Sequence, residues 1–86
     1  TAIRRLVLKP MKVIGKNTVY DLPNIEEIVI SEGTTTVEDY AFESCPSLKR
    51  VYVPQSVTNF SKDAIYRCSD DVEILRVSTG IHHVTM

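Results

Sequence analysis

The stretch YAFESCPSLKRVYVP (residues 40–54) returns 23 positions later, in altered form, as DAIYRCSDDVEILRV (residues 63–77). In both copies a small and an apolar residue precede a cysteine, and a short run with β-strand character follows it. Repetition at a fixed period of about 20–50 residues is typical of solenoids, in which every copy forms one turn of a stack. The sequence therefore predicts a stack of similar units, and the unit decides the fold.

The same spacing relates apolar positions through the centre of the chain. It links Ile25 to Leu48, Ile28 to Val51, Ile30 to Val53, Val37 to Phe60, Ala41 to Ala64, Phe42 to Ile65 and Cys45 to Cys68. The spacing shortens to 22 near Pro10 and lengthens to 24 at the SDDV turn (residues 69–72), which aligns Leu75 with Val51. We therefore expect one repeat domain over residues 1–86, with units 1–22, 23–45, 46–68 and an incomplete unit 69–86.

Each unit predicts one strand and one compact arc. In LKRVYV (residues 48–53) apolar and polar side chains alternate, which favours a short strand. In VEDYAFESC (residues 37–45) the apolar spacings favour a helical or 3-10 turn that Pro46 would end. One unit cannot bury its own apolar edge, whereas stacked units can. We expect an α/β repeat solenoid: a right-handed superhelix of about four rungs, with a parallel β-sheet on one face and short helical or 3-10 turns opposite.

The composition narrows the classes of function. The 86 residues carry a net charge of −1, whereas a nucleic-acid groove or a polybasic membrane-surface segment needs a basic face. No apolar stretch approaches the roughly 20 residues that a membrane-spanning helix needs. We therefore expect neither nucleic-acid binding nor membrane insertion. Because the chain opens on Thr rather than Met, we expect it to be part of a larger protein.

Two cysteines occupy equivalent positions in successive units. Cys45 and Cys68 would lie on adjacent rungs, at a Cα separation within the range of a disulfide. Leu22 fills the same position in the first unit, and free cysteine commonly packs as a small apolar group. A buried thiol pair is therefore the favoured interpretation, and a disulfide or a redox or metal role stays open.

The remaining polar motifs do not form a reaction centre. His82 and His83 align with a loop after a strand, and adjacent side chains of an extended segment point in opposite directions. The acidic residues of IEE (residues 25–27) and SDD (residues 69–71) fall at strand entries or outward positions. No phosphate-binding loop or nucleophile–base pattern is present in the sequence. We predict a protein that is not an enzyme and has neither a metal site nor a cofactor.

Outward-facing strand positions form columns of charged side chains. One column is expected to contain Arg4, Glu26, Lys49 and Glu73, and its neighbour Arg5, Glu27, Arg50 and Ile74. The sign of the charge alternates from rung to rung, and each opposite pair on adjacent strands contributes roughly 0.2–1 kcal/mol. The favoured interpretation is an ion-pair ladder that fixes the register.

A third outward column is apolar or aromatic for most of its length. It is expected to contain Val7, Val29, Tyr52 and Arg76. Tyr and Arg are enriched where proteins bind partners, so these four are the candidate partner-binding residues, with Arg5, Glu27 and Arg50 as a polar flank. Coverage by a neighbouring domain, or simple β-propensity at exposed positions, would explain the same pattern.

The repeated unit resembles a known family. The segment LPNIEEIVISEGTTTVEDYAFESCPSLKRVYVPQSV (residues 22–57) is similar to the BspA-like leucine-rich repeats, which occur mainly in bacterial and protist surface proteins. The matching features are Val53-Pro54, Ile14-Gly15, Ala41-Phe42, Cys45 and Leu48. The departures are Leu22 in place of a cysteine, Ile65 in place of a phenylalanine, and Glu38 and Ser61 in place of a glycine.

The resemblance implies a non-enzymatic module that binds another protein or a surface glycan. It also implies a bacterial cell-surface or secreted parent protein, and therefore an extracellular or cell-surface location. The alternative is a purely structural spacer or docking segment within a larger protein. Since neither end shows an evident polar capping unit, we expect either a larger array or self-association through the solenoid ends.

Overall fold

The structure is a computed structural model that describes residues 3–77, and these residues form a solenoid of short parallel strands. In chain order the strands are β1 (Arg5–Val7), β2 (Val13–Ile14), β3 (Val19–Tyr20), β4 (Glu27–Val29), β5 (Thr36–Val37), β6 (Phe42–Glu43), β7 (Arg50–Pro54), β8 (Asn59–Phe60), β9 (Ile65–Tyr66) and β10 (Glu73–Val77). Every third strand joins the same sheet: β1-β4-β7-β10 is the first sheet, β2-β5-β8 the second and β3-β6-β9 the third.

The strand registers confirm the repeat that the sequence predicts in the first three units. Leu6 pairs with Ile28, 22 positions on, and Ile28 pairs with Val51, 23 positions on. The second sheet already has the 23-residue spacing, since Val13 pairs with Thr36. The residue missing from the first unit therefore lies between β1 and β2, as the sequence indicates.

Alternate side chains point into the solenoid and form its core. The fully buried columns include Ile28 and Val51 from the first sheet and Val19 and Phe42 from the third. Thr34 is the one buried polar side chain within residues 3–77, and its hydroxyl donates to the carbonyl oxygen of Met11 at 2.5 Å. Each turn thus buries its apolar residues against the same residues of the next turn, which is how stacked repeats gain stability.

The arc at residues 37–45 differs from the expected helical or 3-10 turn. It holds the end of β5 and the whole of β6, and the structure has no helix anywhere within residues 3–77. Tyr40 and Ser44 flank β6 with φ angles of 60° and 61°. A right-handed helical turn needs consecutive residues at negative φ, so these two residues make corners instead. The α/β class and the helical turns are therefore not confirmed, and the described chain is all-β.

The expected four rungs are not confirmed either. Residues 3–77 complete about three turns, and within this range only the first sheet gains a fourth strand, β10. The later part of the incomplete unit 69–86, with His82 and His83, lies outside the described residues.

Strand β10 takes a different register from the one that the sequence predicts. Ile74 pairs with Val51 and Leu75 with Tyr52, a spacing of 23 rather than 24. A one-residue shift exchanges the two faces of a strand, so Leu75 lies on the outward face and not in the core. The predicted register depended on burying Leu75 and Val77, and within the described range no turn lies beyond β10 to bury them.

Both cysteines are free thiols in the structure. Cys45 is fully buried, whereas Cys68 is half-buried. The backbone N–H of Cys45 donates to Sγ of Cys68 at 3.4 Å, so the two residues are neighbours on successive turns, as predicted. The favoured interpretation of a buried thiol pair is confirmed for Cys45 and in part for Cys68.

Candidate functional site

The outward face of the first sheet carries two adjacent columns of side chains. The charged ladder contains Arg5, Glu27, Arg50 and Glu73, which pair in register across the four strands. The apolar column contains Val7, Val29, Tyr52 and Leu75, which pair in the same way. Residues two apart on a strand lie on the same face, so each member of the ladder is next to one member of the column.

Glu27 is the centre of the charged ladder. Its Oε1 accepts from Nη1 of Arg5 at 3.0 Å, and its Oε2 accepts from Nε of Arg50 at 2.8 Å. The hydrogen bond from Arg50 lowers the pKa of Glu27, and the charges of Arg50 and Arg5 lower it further. The same contact raises the pKa of Arg50. The three side chains therefore fix one another while only 18% of the Glu27 side chain stays accessible.

The side chain of Tyr52 is held in place by Glu27 and Arg5 of the charged ladder. Its hydroxyl donates to Oε2 of Glu27 at 3.4 Å, and the guanidinium of Arg5 lies 5.7 Å from the centre of its ring. A cation over an aromatic face is attracted to the ring electrons. The Tyr52 ring is thus held in place before any partner arrives, half-buried between Val29 and Leu75.

The second predicted charge column is looser. Lys49 approaches Glu26 with Nζ 3.8 Å from Oε1, and both side chains are partly exposed. Glu73 does not continue this column, because the structure pairs it with Arg50 in the charged ladder. Exposed pairs of this kind add little stability, so this column is a solvated edge of the face.

The structure brings together six of the seven predicted partner-binding residues. Val7, Val29 and Tyr52 form the predicted apolar column, and Arg5, Glu27 and Arg50 flank it. The seventh residue, Arg76, does not join the column as predicted. It pairs with Val53 and so faces the other side of β10. Its guanidinium donates to the carbonyl oxygens of Pro54 and Val57, at 3.2 and 2.7 Å.

Leu75 occupies the position in the apolar column that was predicted for Arg76. Glu73 occupies the position in the charged ladder that was predicted for Ile74. Both changes follow from the 23-residue register of β10. The apolar column is consequently apolar or aromatic over all four strands, and the charged ladder alternates in sign over all four. A repeat spacing of 23 residues continued past Cys68 would have assigned Glu73 and Leu75 to these positions. The alignment of apolar residues in the sequence instead favours a spacing of 24 residues there.

A second group of exposed aromatic residues lies on the third sheet and was not singled out from the sequence. Tyr20 and Tyr66 pair with Glu43 from either side, and both rings are exposed. The Tyr40 ring lies 4.8 Å from that of Tyr66, between centroids, at an angle of 60°. The 46-residue spacing of Tyr20 and Tyr66, twice the repeat, is the signal that could have found them.

Three further features of the described residues bear on the function: metal-ligand clusters, the reactivity of the cysteines and the presence of membrane-spanning helices. Within residues 3–77 no three His, Cys, Asp or Glu side chains are placed to hold a metal ion. Burial raises the pKa of the Cys45 thiol, which makes it a poor nucleophile at neutral pH. In the same range no helix has the length and apolar character to cross a membrane.

Comparison with known proteins agrees with this architecture. The family model for a BspA type leucine-rich repeat region, in six copies, matches residues 3–84. No curated protein and no solved structure matches the chain. Repeats of this type are non-enzymatic modules that commonly bind proteins, and they typically occur in surface or secreted proteins. Because the match covers residues 3–84, nearly the whole sequence, the chain belongs to the BspA-type leucine-rich repeat family.

Proposed function

We propose that the outward face of the first sheet binds a protein partner through the apolar column, and that the chain is a binding module of a bacterial cell-surface or secreted protein. The observation that carries the proposal is the unbroken column Val7, Val29, Tyr52 and Leu75, held beside an ion-paired ladder. An apolar strip with a polar rim is the usual anatomy of a protein-binding surface.

The contacts of Tyr52 support this role because they reduce the entropic penalty of binding. Its ring is already oriented by the hydroxyl contact with Glu27 and by the guanidinium of Arg5. A side chain that is ordered in the free protein loses less conformational freedom when a partner covers it. Tyrosine is also one of the residues that most often dominate binding energy. Tyr52 is therefore the proposed anchor of the interface.

Of the two classes of partner expected from the sequence, a protein fits the face better than a glycan. Three of the four side chains in the column are aliphatic, and aliphatic groups match apolar side chains of another protein. A glycan needs hydrogen-bonding groups along the site, but the flanking Glu27 and Arg50 are already paired with each other. The face thus offers apolar contact at its centre and few free polar groups beside it.

The experiment compares two tyrosine variants. The chain is immobilised and exposed to the surface and secreted protein fractions of the source cells, and bound proteins are quantified for wild type, Tyr52→Ala and Tyr20→Ala. Tyr20 is the control because it is the same residue type, exposed on a different sheet. We expect one or more proteins to be retained by wild type and Tyr20→Ala, and to fall at least tenfold with Tyr52→Ala.

Equal retention by both variants would remove the apolar column from the binding site. If no protein is retained by wild type, the alternative expected from the sequence is the better account: a structural segment whose face packs on a neighbouring domain of its own parent. Immunoblotting of fractionated source cells tests the location, and a band confined to the cytosol would contradict a surface or secreted parent.

A further inference from the structure

A groove runs along the outward side of the second sheet and the corner that follows it. Its volume is about 810 Å³, which is within the usual range of sites for small molecules. The polar side chains that line it come from all three described turns and include Lys16, Thr36, Glu38, Tyr40, Asn59 and Ser61. The groove therefore lies along the side of the stack and not at either end of it.

The second sheet forms one wall of the groove. Thr36 pairs in register with Asn59, and both side chains are on the outward face of the sheet. The backbone N–H of Glu38 donates to the carbonyl oxygen of Ile14 at 2.9 Å, so the pairing between turns continues past the end of β5. Glu38 therefore faces outward next to Thr36, and Ser61, 23 positions on, takes the equivalent place on the next turn.

The corner after β5 forms the opposite wall. Tyr40 has a φ angle of 60°, which turns the chain away from the line of the second sheet. Nζ of Lys16 lies 5.9 Å from the centre of the Tyr40 ring, at the outer limit of a cation–π contact. The Glu38 carboxylate lies over Gly15, since a Cβ atom at Gly15 would stand 3.4 Å from its Oε1. The glycine thus leaves room for the carboxylate between the two walls.

The groove presents hydrogen-bonding groups that the described part of the chain does not use. Ser61 donates its hydroxyl to Oδ1 of Asp39 and accepts from the backbone N–H of Asp63 at 3.0 Å, so this part of the floor is fixed. Glu38 and Asn59 are both exposed, and their side chains hydrogen-bond to no residue between 3 and 77. A carboxylate and an amide are therefore available to a ligand.

The charge of the groove selects a neutral ligand. Glu38 and Asp39 bring two negative charges, and Lys16 brings one positive charge. The carboxylates repel an anionic chain, and the ammonium group disfavours a polycation. A neutral ligand rich in hydroxyl groups finds acceptors in the carboxylate and amide oxygens, and donors in the amide and ammonium N–H groups. The C–H groups of a sugar ring also pack well against an aromatic side chain such as Tyr40.

We propose that this groove is a second binding site, which takes a neutral oligosaccharide. Glu38 and Asn59 hydrogen-bond the sugar hydroxyls, Lys16 donates at the rim, and Tyr40 contacts the apolar side of a sugar ring. Three turns span two strand spacings of roughly 4.8 Å each, which is long enough for about two sugar units of an extended chain. The first sheet is then left for a protein partner, and the two ligands occupy different faces of the same stack.

The first experiment is a nuclear magnetic resonance titration of the intact, isotope-labelled chain. The probes are the neutral hexasaccharides cellohexaose, laminarihexaose and mannohexaose, each added to millimolar concentration. We expect at least one of them to shift the amide signals of Thr36, Glu38 and Asn59 in a saturable manner, and to leave those of Val29 and Tyr52 in place. Hexagalacturonate and hexalysine, which are matched in length but charged, should bind at least several-fold more weakly.

The matched variants are Glu38→Ala and Glu32→Ala. Both glutamates are exposed, but Glu38 lines the groove and Glu32 lies in the turn before β5. Glu38→Ala should raise the dissociation constant of the bound hexasaccharide by about tenfold or more, because a hydrogen bond to a charged group is lost. Glu32→Ala should leave the constant unchanged. Asn59→Ala, on the neighbouring strand, should weaken binding in the same direction as Glu38→Ala, and the melting temperature shows whether each variant is folded.

Several results would overturn the proposal. One is that no neutral hexasaccharide shifts the signals of the groove, and another is that Glu38→Ala and Asn59→Ala both bind as wild type does. Tighter binding of hexalysine would make the groove a site for basic peptide segments, and tighter binding of hexagalacturonate a site for anionic glycans. Both outcomes contradict a neutral ligand. Retention of proteins by the Tyr52→Ala variant is a separate measurement, so the failure of one proposal leaves the other standing.

Discussion

At the residue scale, Glu27 links stability to recognition. Its carboxylate accepts hydrogen bonds from Arg5 on β1 and from Arg50 and Tyr52 on β7, the two strands on either side of its own. Loss of this one group would release two guanidinium groups and the tyrosine ring together. A single side chain therefore determines both the cohesion of the charged ladder and the orientation of the proposed anchor.

The lowered pKa of Glu27 predicts a specific pH dependence. A carboxyl group whose pKa is lower in the folded state than its ordinary value of 4.5 contributes stability above that value. The contribution is lost as the pH falls from 4.5 through the folded-state pKa. Glu27→Gln should therefore lower the melting temperature at pH 7, and the difference from wild type should shrink when both proteins are compared below pH 4.5.

A matched control for this prediction is Glu26→Gln. Glu26 is the same residue type on the same strand entry, but it has a single, longer ion pair to Lys49, at 3.8 Å. Its replacement should change the melting temperature at pH 7 by clearly less than Glu27→Gln does. Equal losses for the two variants, or a Glu27→Gln effect that is independent of pH, would contradict the role of Glu27 as the centre of the ladder.

At the element scale, the corners of each turn depend on residues in the left-handed region. Ser44 and Arg67 occupy equivalent positions with φ angles of 61° and 56°, and Asp21 holds the same position in the first turn with 56°. None of them is a glycine, although glycine adopts this conformation without steric penalty. The corners therefore contain local strain that the surrounding strand pairing maintains.

Ser44→Gly should relieve that strain. We expect the free energy of unfolding to rise by about 0.5–1 kcal/mol, because the left-handed conformation is unfavourable for residues with a Cβ atom. Ser47→Gly is the control, since Ser47 is not among the residues with positive φ, and a glycine there should lower stability. Urea denaturation measures both variants. A destabilised Ser44→Gly protein would show that the corner needs the serine side chain.

The same corners explain why the arc was mispredicted. Apolar residues at Val37, Ala41 and Phe42 have spacings that a helical turn and a β-arc share, and periodicity alone does not separate them. The decisive feature is the backbone conformation of Tyr40 and Ser44, which neither residue type announces. A glycine at either position would have indicated a corner.

The candidate site shows the same division between what the pattern determines and what it does not. The columns over β1, β4 and β7 could be predicted because burial of Leu6, Ile28 and Val51 sets which residues face outward. On β10 burial favours one register, whereas Glu73 beside Arg50 belongs to the register that the structure adopts. These two effects favour different registers. The prediction followed burial and therefore placed Ile74 where the structure has Glu73, and Arg76 where it has Leu75.

At the scale of the whole molecule, the three described turns do not have equal surroundings. Phe42 in the second turn donates its backbone N–H to Ala64 and has a strand on each side. Val19 in the first turn donates to Ala41 and, among residues 3–77, has a strand on one side only. Both side chains are buried, so the difference comes from position in the stack. In a linear array each turn depends on its neighbours, and an end turn has one fewer.

Amide hydrogen exchange should reveal this gradient. We expect the amide of Val19 to exchange at least several-fold faster than that of Phe42, because the first turn opens separately. Nuclear magnetic resonance measures the two rates in one sample. Equal protection would show instead that the solenoid opens only as a single unit.

The alternating ladder sets a rule for changing the number of turns. The backbone repeats every turn, but the order Arg5, Glu27, Arg50, Glu73 repeats only every second turn. Duplication of residues 23–45 alone would set one Glu27 beside another, whereas duplication of residues 23–68 would restore opposite neighbours throughout. Arrays built from this sequence should therefore lengthen and shorten in pairs of turns, a parity that the backbone by itself does not impose.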